Sequence, residues 1–142
     1  MLKITLCVLA LGLAAVSQAA PPVIDNERVT VWDTMHALPP AQHDFVAVSF
    51  AKKGKPFFGH KGDVAGADGV RTAVIELKDP SVAPIANTGV YRAGGTLQST
   101  TPDGKSVAVK LKAGDIRFNR RDRAHSELLV GGKPHAIIVE LK

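Results

Sequence analysis

The chain has 142 residues, 45% of them hydrophobic, with one cysteine and a formal charge of +5. That length supplies a single domain, and one cysteine excludes a disulfide scaffold and a multi-thiolate metal site. The longest apolar run is too short to cross a bilayer, which excludes a helical membrane protein.

That run is also the first element. Lys3, the apolar stretch from Ile4 to Val16 and the small-residue end Ser17-Gln18-Ala19 have the pattern of a secretory signal peptide over residues 1–19. Cleavage after Ala19 leaves Ala20, rather than Pro21, at the new N-terminus. Taking 19 residues from 142 leaves 123, with no cysteine because Cys7 departs, and 17 basic against 13 acidic side chains. The remaining domain, 20–142, is expected in the periplasm or outside the cell, without membrane contact once the signal is removed. Its hydrophobic core alone must hold it, and at this length folding buries about two-thirds of the chain's surface.

From Arg28 onward the sequence predicts strands and turns with almost no helix. No eleven-residue window keeps apolar residues at three-and-four spacing without a Gly or Pro. Strands are predicted at Arg28 to Trp32, Phe45 to Phe50, Val70 to Leu77, Thr96 to Thr100, Ser106 to Lys112, Ile116 to Phe118, Ser126 to Val130 and His135 to Leu141. In the fifth of these, Val107, Val109 and Leu111 are expected to face the core. Pro102-Asp103-Gly104 predicts one tight hairpin and Gly131-Gly132-Lys133-Pro134 a second. Ala51 to Gly69 and Asp79 to Gly89 read as long loops. Eight or nine short strands so spaced predict a sandwich or small barrel.

Ile75-Glu76-Leu77-Lys78 recurs as Val139-Glu140-Leu141-Lys142, each closing an Ala/Val/Ile strand. His60 and His125 lie about fifteen residues before the respective glutamates. The repeat is consistent with a duplication and equally with chance in strand sequence.

Gly114 to His125 (GDIRFNRRDRAH) resembles the second sequence motif of the cupin family, in which a Gly-opened turn, a strand and a second turn lead to a histidine. Arg120 and Asp122 stand where the family usually has Pro and Gly. The resemblance extends over Thr96 to Lys142 and over Asp25 to Asp33, while the middle matches poorly. It implies an all-β fold, a single cupin-like β-barrel or jelly roll, whose mouth can hold one divalent metal (Fe, Mn, Ni, Cu or Zn) on histidines and a carboxylate. Only His125 carries over as a ligand. The first motif is degenerate: Ala41 replaces its first histidine, His43 corresponds to its second, and no glutamate follows before Glu76. One opening strand followed by two closing strands suggests a remnant of two modules, 25–79 and 89–142, that lost its centre.

Five histidines, His36, His43, His60, His125 and His135, bear on a metal site. His125, His43 and His60 are the candidate ligands, each open to an ordinary surface or core role. Arg117, Arg120 and Arg121, with Glu127 on the face of His125, are candidate ligand-binding residues. The arginine loop fits an anion site through forked contacts, and also a solvated turn balanced by Asp115 and Asp122. Export and the lack of a stacking platform near the arginines argue against nucleic acid. Lys52-Lys53-Gly54-Lys55 reads as an exposed loop, and Gly59-His60-Lys61-Gly62-Asp63 as structural. No Gly-x-Ser-x-Gly elbow, phosphate loop or His-Glu-x-x-His helix is present. The expected function is a small-ligand-binding module with a degenerate metal site; the alternative is a metal-dependent cupin enzyme, of oxygenase or isomerase type, using His125 with His43, His60 or both. A homodimer paired through edge strands is a further expectation.

Overall fold

The computed structural model describes residues 20–79, 81, 86–120 and 125–141, and all regular elements among them are strands. Residues 1–19, where a signal peptide is expected, and Arg121 and Asp122 lie outside the described residues. The strands are β1 (Ile24–Asp25), β2 (Val29–Thr34), β3 (Phe45–Ser49), β4 (Phe57–Gly59), β5 (Thr72–Leu77), β6 (Ala86–Thr100), β7 (Ser106–Leu111), β8 (Ile116–Arg120) and β9 (Ser126–Leu141). The fold is all-β. Among the described residues no helix is long and apolar enough to cross a membrane.

The first half of the chain builds one antiparallel sheet in the order β1-β2-β5-β3-β4. Strand β5 lies at its centre, paired to β2 on one side and β3 on the other. Its first five residues are all buried, including Glu76. A strand covered on both faces needs a continuous apolar run rather than alternation, which is what Thr72-Ala73-Val74-Ile75 supplies. One face, with Val29, Val31, Val48, Ala73 and Ile75, packs on the second sheet. The other, with Phe45, Ala47 and Val74, is roofed by Ala41 and Ala65 from the two connecting loops. Those loops hold each other through Leu38 N donating to Ala65 O at 2.8 Å and Ala41 N to Asp63 O at 2.9 Å.

The second half builds the other sheet. Strand β6 pairs with β7 along its C-terminal part, with β8 along its N-terminal part, and with β9 over nearly its whole length. Ala86 and Val90 on β6 and Leu141 on β9 close the shared core. Among the described residues no strand of one sheet pairs with a strand of the other.

Strand β6 has to bend. Ala86 pairs with Arg120 and Thr100 with Ser126. A straight strand from 86 to 100 would span about 46 Å, whereas the six steps from Arg120 to Ser126 reach at most about 22 Å. The bend sits where the register slips, between Tyr91 and Leu97. There Gly95 faces Gly132, whose φ is +78°. A Cβ on Gly132 would stand 2.8 Å from Gly95 Cα, and one on Gly95 2.7 Å from Pro134 Cδ. Backbones this close tolerate only glycine, and the resulting bulges turn both strands together.

This corrects one expectation. Gly131-Gly132-Lys133-Pro134 is not a hairpin turn: it lies inside β9, and the segments 126–130 and 135–141 are one strand. The Gly and Pro needed at a bulge in a strand are the same residue types that mark a turn. Val107 also departs from expectation. It is 64% exposed because it lies on the far half of the bent sheet, while Leu111, nearer the corner, is buried. The Pro102-Asp103-Gly104 hairpin is present, with Gly104 at φ +83° and Thr101 N donating to Lys105 O.

Two arginines cross between the sheets. Arg92 on β6, 8% exposed, donates from Nε and Nη2 to Ser49 O at 2.9 and 2.7 Å, and from Nη2 to Gly54 O at 2.6 Å. Arg71 forks onto Asp33 at 3.0 and 2.6 Å, lies 4.2 Å over the Phe50 ring, and reaches Gly114 O at 3.3 Å. A Cβ on Gly114 would stand 2.7 Å from an Arg71 guanidinium nitrogen. The absence of a side chain at Gly114 therefore leaves room for this clamp.

Candidate functional site

Bending the second sheet creates its cleft. The far half of β6, with β7 on one side and the start of β9 on the other, lines a space of about 460 Å³ together with β8. The floor is apolar, from Leu97, Val109, Leu111 and Phe118. The rim carries Tyr91, Ser99, Thr101 and Asn119 together with Arg117, Arg120, His125 and Glu127. Leu97 pairs with Val109 and Ser99 with Glu127 across the ladder, so period-two alternation puts these side chains on one concave face.

Four residues singled out from the sequence meet here: His125, Glu127, Arg117 and Arg120. His125 Nε2 lies 3.4 Å from Glu127 Oε1. Arg117 Nη2 donates to Lys110 O at 2.9 Å and lies 3.4 Å from Asp115 Oδ2. Arg120 Nη2 donates to Glu27 Oε1 at 2.6 Å, which ties β8 to the β1–β2 turn. Each arginine thus has a carboxylate, so the rim is a set of neutralised pairs rather than a bare anion cradle. Arg121 lies outside the described residues.

Tyr91 was not singled out from the sequence. Burial raises its phenol pKa above the ordinary value; the charges of Glu127 and Asp115 push the same way, and Arg117 opposes them. The phenol is thus a neutral hydrogen-bond donor at the cleft. With the folded pKa above the unfolded one, the contribution to stability is present below the ordinary phenol pKa of about 10 and is lost as pH rises through the folded value. This is the protein's single tyrosine, so phenolate absorbance reads it directly. The folded midpoint is expected above that of denatured chain, and Glu127→Gln is expected to bring it down; coincident folded and denatured midpoints would contradict the placement.

His43 and His60 lie elsewhere, at the β3–β4 side of the first sheet. His43 Nδ1 is 3.3 Å from Glu76 Oε2, and Gln42 N donates to Glu76 Oε1 at 3.1 Å. His60 Nδ1 is 3.5 Å from Asp44 Oδ1, which also accepts from Lys61 N at 3.0 Å. His36 pairs with Asp68 at 3.3 Å. Among the described residues no three of His, Cys, Asp and Glu are grouped so as to share a metal ion. The structure therefore does not gather His125, His43 and His60 into one site.

The chain matches no family model, no curated protein and no solved structure in the comparisons made. The cleft must be read from its own chemistry.

Proposed function

We propose that the chain is an exported, cupin-like binding module that holds one small molecule in the cleft of its second sheet. The observation that carries this is the cleft itself. About 460 Å³, an apolar floor and a few converging polar groups are the attributes of small-molecule sites. The floor of Leu97, Val109, Leu111 and Phe118 suits an apolar body such as a ring. The Tyr91 phenol, the Ser99 and Thr101 hydroxyls and the Asn119 amide suit a hydrogen-bonding edge. Because Arg117 and Arg120 already have carboxylates, the reading favours an uncharged or singly charged ligand over a phosphate. Export rests on the signal pattern of residues 1–19, and the cupin assignment on the Gly114 to His125 motif.

A metal-dependent enzyme is the second reading, and the His125–Glu127 pair inside the cleft favours it. Two side chains hold an ion less firmly than the three or four of a usual transition-metal site. The discriminating experiment is a titration with small aromatic alcohols and amides in the presence of a chelator, on wild type and Val109→Arg. Saturable binding lost in the variant is expected. Binding that requires added metal, and that His125→Ala removes, would favour the enzyme instead.

A further inference from the structure

The β3–β4 hairpin carries a surface that the cleft does not use. Its loop reads Ala51-Lys52-Lys53-Gly54-Lys55-Pro56, followed by Phe57 and Phe58 on β4 and then Gly59-His60-Lys61. Lys52, Lys53, Lys55 and Lys61 are exposed, and among the described residues none has a carboxylate partner. Asp63 and Asp44, the nearby acids, accept from the backbone amides of His60 and Lys61. Phe57 is 58% exposed and Phe58 53%. Successive residues of a strand point to opposite faces, so this edge strand offers one ring on each side. Val64, 57% exposed, joins Phe57 and Lys55 around a shallow groove. The loop is also held in place: Arg92 grips Ser49 O and Gly54 O, Ala51 N donates to Ser49 Oγ at 3.1 Å, and Gly54 N to Ala51 O at 3.1 Å.

We infer that this hairpin docks the protein on an anionic lipid surface, with Phe57 and Phe58 in the boundary between acyl chains and headgroups and Lys52, Lys53, Lys55 and Lys61 on lipid phosphates. The arrangement is that of interfacial anchors, which combine apolar insertion with cation–headgroup attraction. A protein groove would cover one face of the strand and leave the other ring wet. A lipid interface receives the tip from both sides, and the lysines border it at both ends. Each lysine beside an anionic leaflet strengthens binding about five-fold. The sequence alone presents a lysine-rich loop without membrane contact; it is the exposure of both phenylalanines beside it that changes the reading.

Co-sedimentation of the chain from Ala20 onward with vesicles tests this. Binding is expected to vesicles of equal parts phosphatidylglycerol and phosphatidylcholine, and not to phosphatidylcholine alone. Lys52→Gln/Lys53→Gln/Lys55→Gln is expected to weaken it about a hundred-fold. Phe58→Ser is expected to weaken it about ten-fold, as is Val64→Ser in the same direction. Phe58 is chosen because the Phe57 ring packs 6.2 Å from that of Phe45, and a thermal melt checks that each variant is folded. No binding to phosphatidylglycerol overturns the inference. So does wild-type affinity in both apolar variants, which would mean plain charge attraction. Equal affinity for polyglutamate, insensitive to Phe58→Ser, overturns it in favour of an acidic partner.

Discussion

Gly132→Ala is expected to destabilise the protein by about 2–5 kcal/mol and to open the cleft. Two costs combine. A residue with a Cβ at φ +78° pays roughly 1–2 kcal/mol for the left-handed conformation. Its Cβ would also lie 2.8 Å from Gly95 Cα and 3.1 Å from Gly94 O, an overlap with backbone that costs about 1–3 kcal/mol. Gly131→Ala is the internal control. Its Cβ would meet Thr96 at 3.8 Å, an ordinary contact, so the change should stay within about 1 kcal/mol. Chemical denaturation of both variants checks the corner, and equal, small effects would contradict it.

Arg92→Met is expected to cost about 2–4 kcal/mol in the same measurement. The guanidinium makes three hydrogen bonds, to Ser49 O on β3 and to Gly54 O in the β3–β4 loop, while the Arg92 backbone lies in the second sheet. Hydrogen bonds to a charged donor are worth about 1.5–3 kcal/mol, and removing the donor leaves Ser49 O and Gly54 O without it. Methionine keeps most of the apolar stem, so the loss isolates the headgroup. Arg92→Lys should restore less than half, because a single ammonium cannot reproduce the planar fork. A neutral result in Arg92→Met would mean that its three bonds add nothing to the attachment of the two sheets.

Much of the architecture is legible in the residues, for physical reasons. Strands β2, β3 and β5 announce themselves because their burial is local: one or both faces meet the core, and the apolar pattern records it, while β7 and β8 show the period-two alternation of a strand even though most of β7 is exposed. The Pro102-Asp103-Gly104 turn is legible because its chemistry is local too. The corner is not. Whether Gly131-Gly132 reverses the chain or bends a continuous strand depends on Gly94-Gly95, more than thirty residues away, lying opposite. Reading β9 as two strands follows directly from that blind spot. Strand β4 is hidden for a similar reason, since Phe57-Phe58-Gly59 is short and pairs only along one edge of β3.

The candidate site divides in the same way. His125, Glu127, Arg117 and Arg120 are close in sequence, so one motif and one strand alternation bring them to notice. Tyr91, Leu97 and Ser99 join them only because β6 folds back, and their alternation along β6 was the available signal. His43 and His60 stand apart because the first half of the chain closes its own sheet, with Glu76 and Asp44 as their partners. The repeat that links Glu76 to Glu140 marks the ends of two sheets. Residues 24–77 build one sheet and 86–141 the other.

The most direct measurement is an amide chemical-shift map of the metal-free protein titrated with the tightest-binding small aromatic alcohol or amide. The account predicts saturable shifts concentrated at Tyr91, Leu97, Val109, Phe118 and His125, absent in Val109→Arg. Shifts centred on His43, His60 and the first sheet, or none in the cleft, would contradict it.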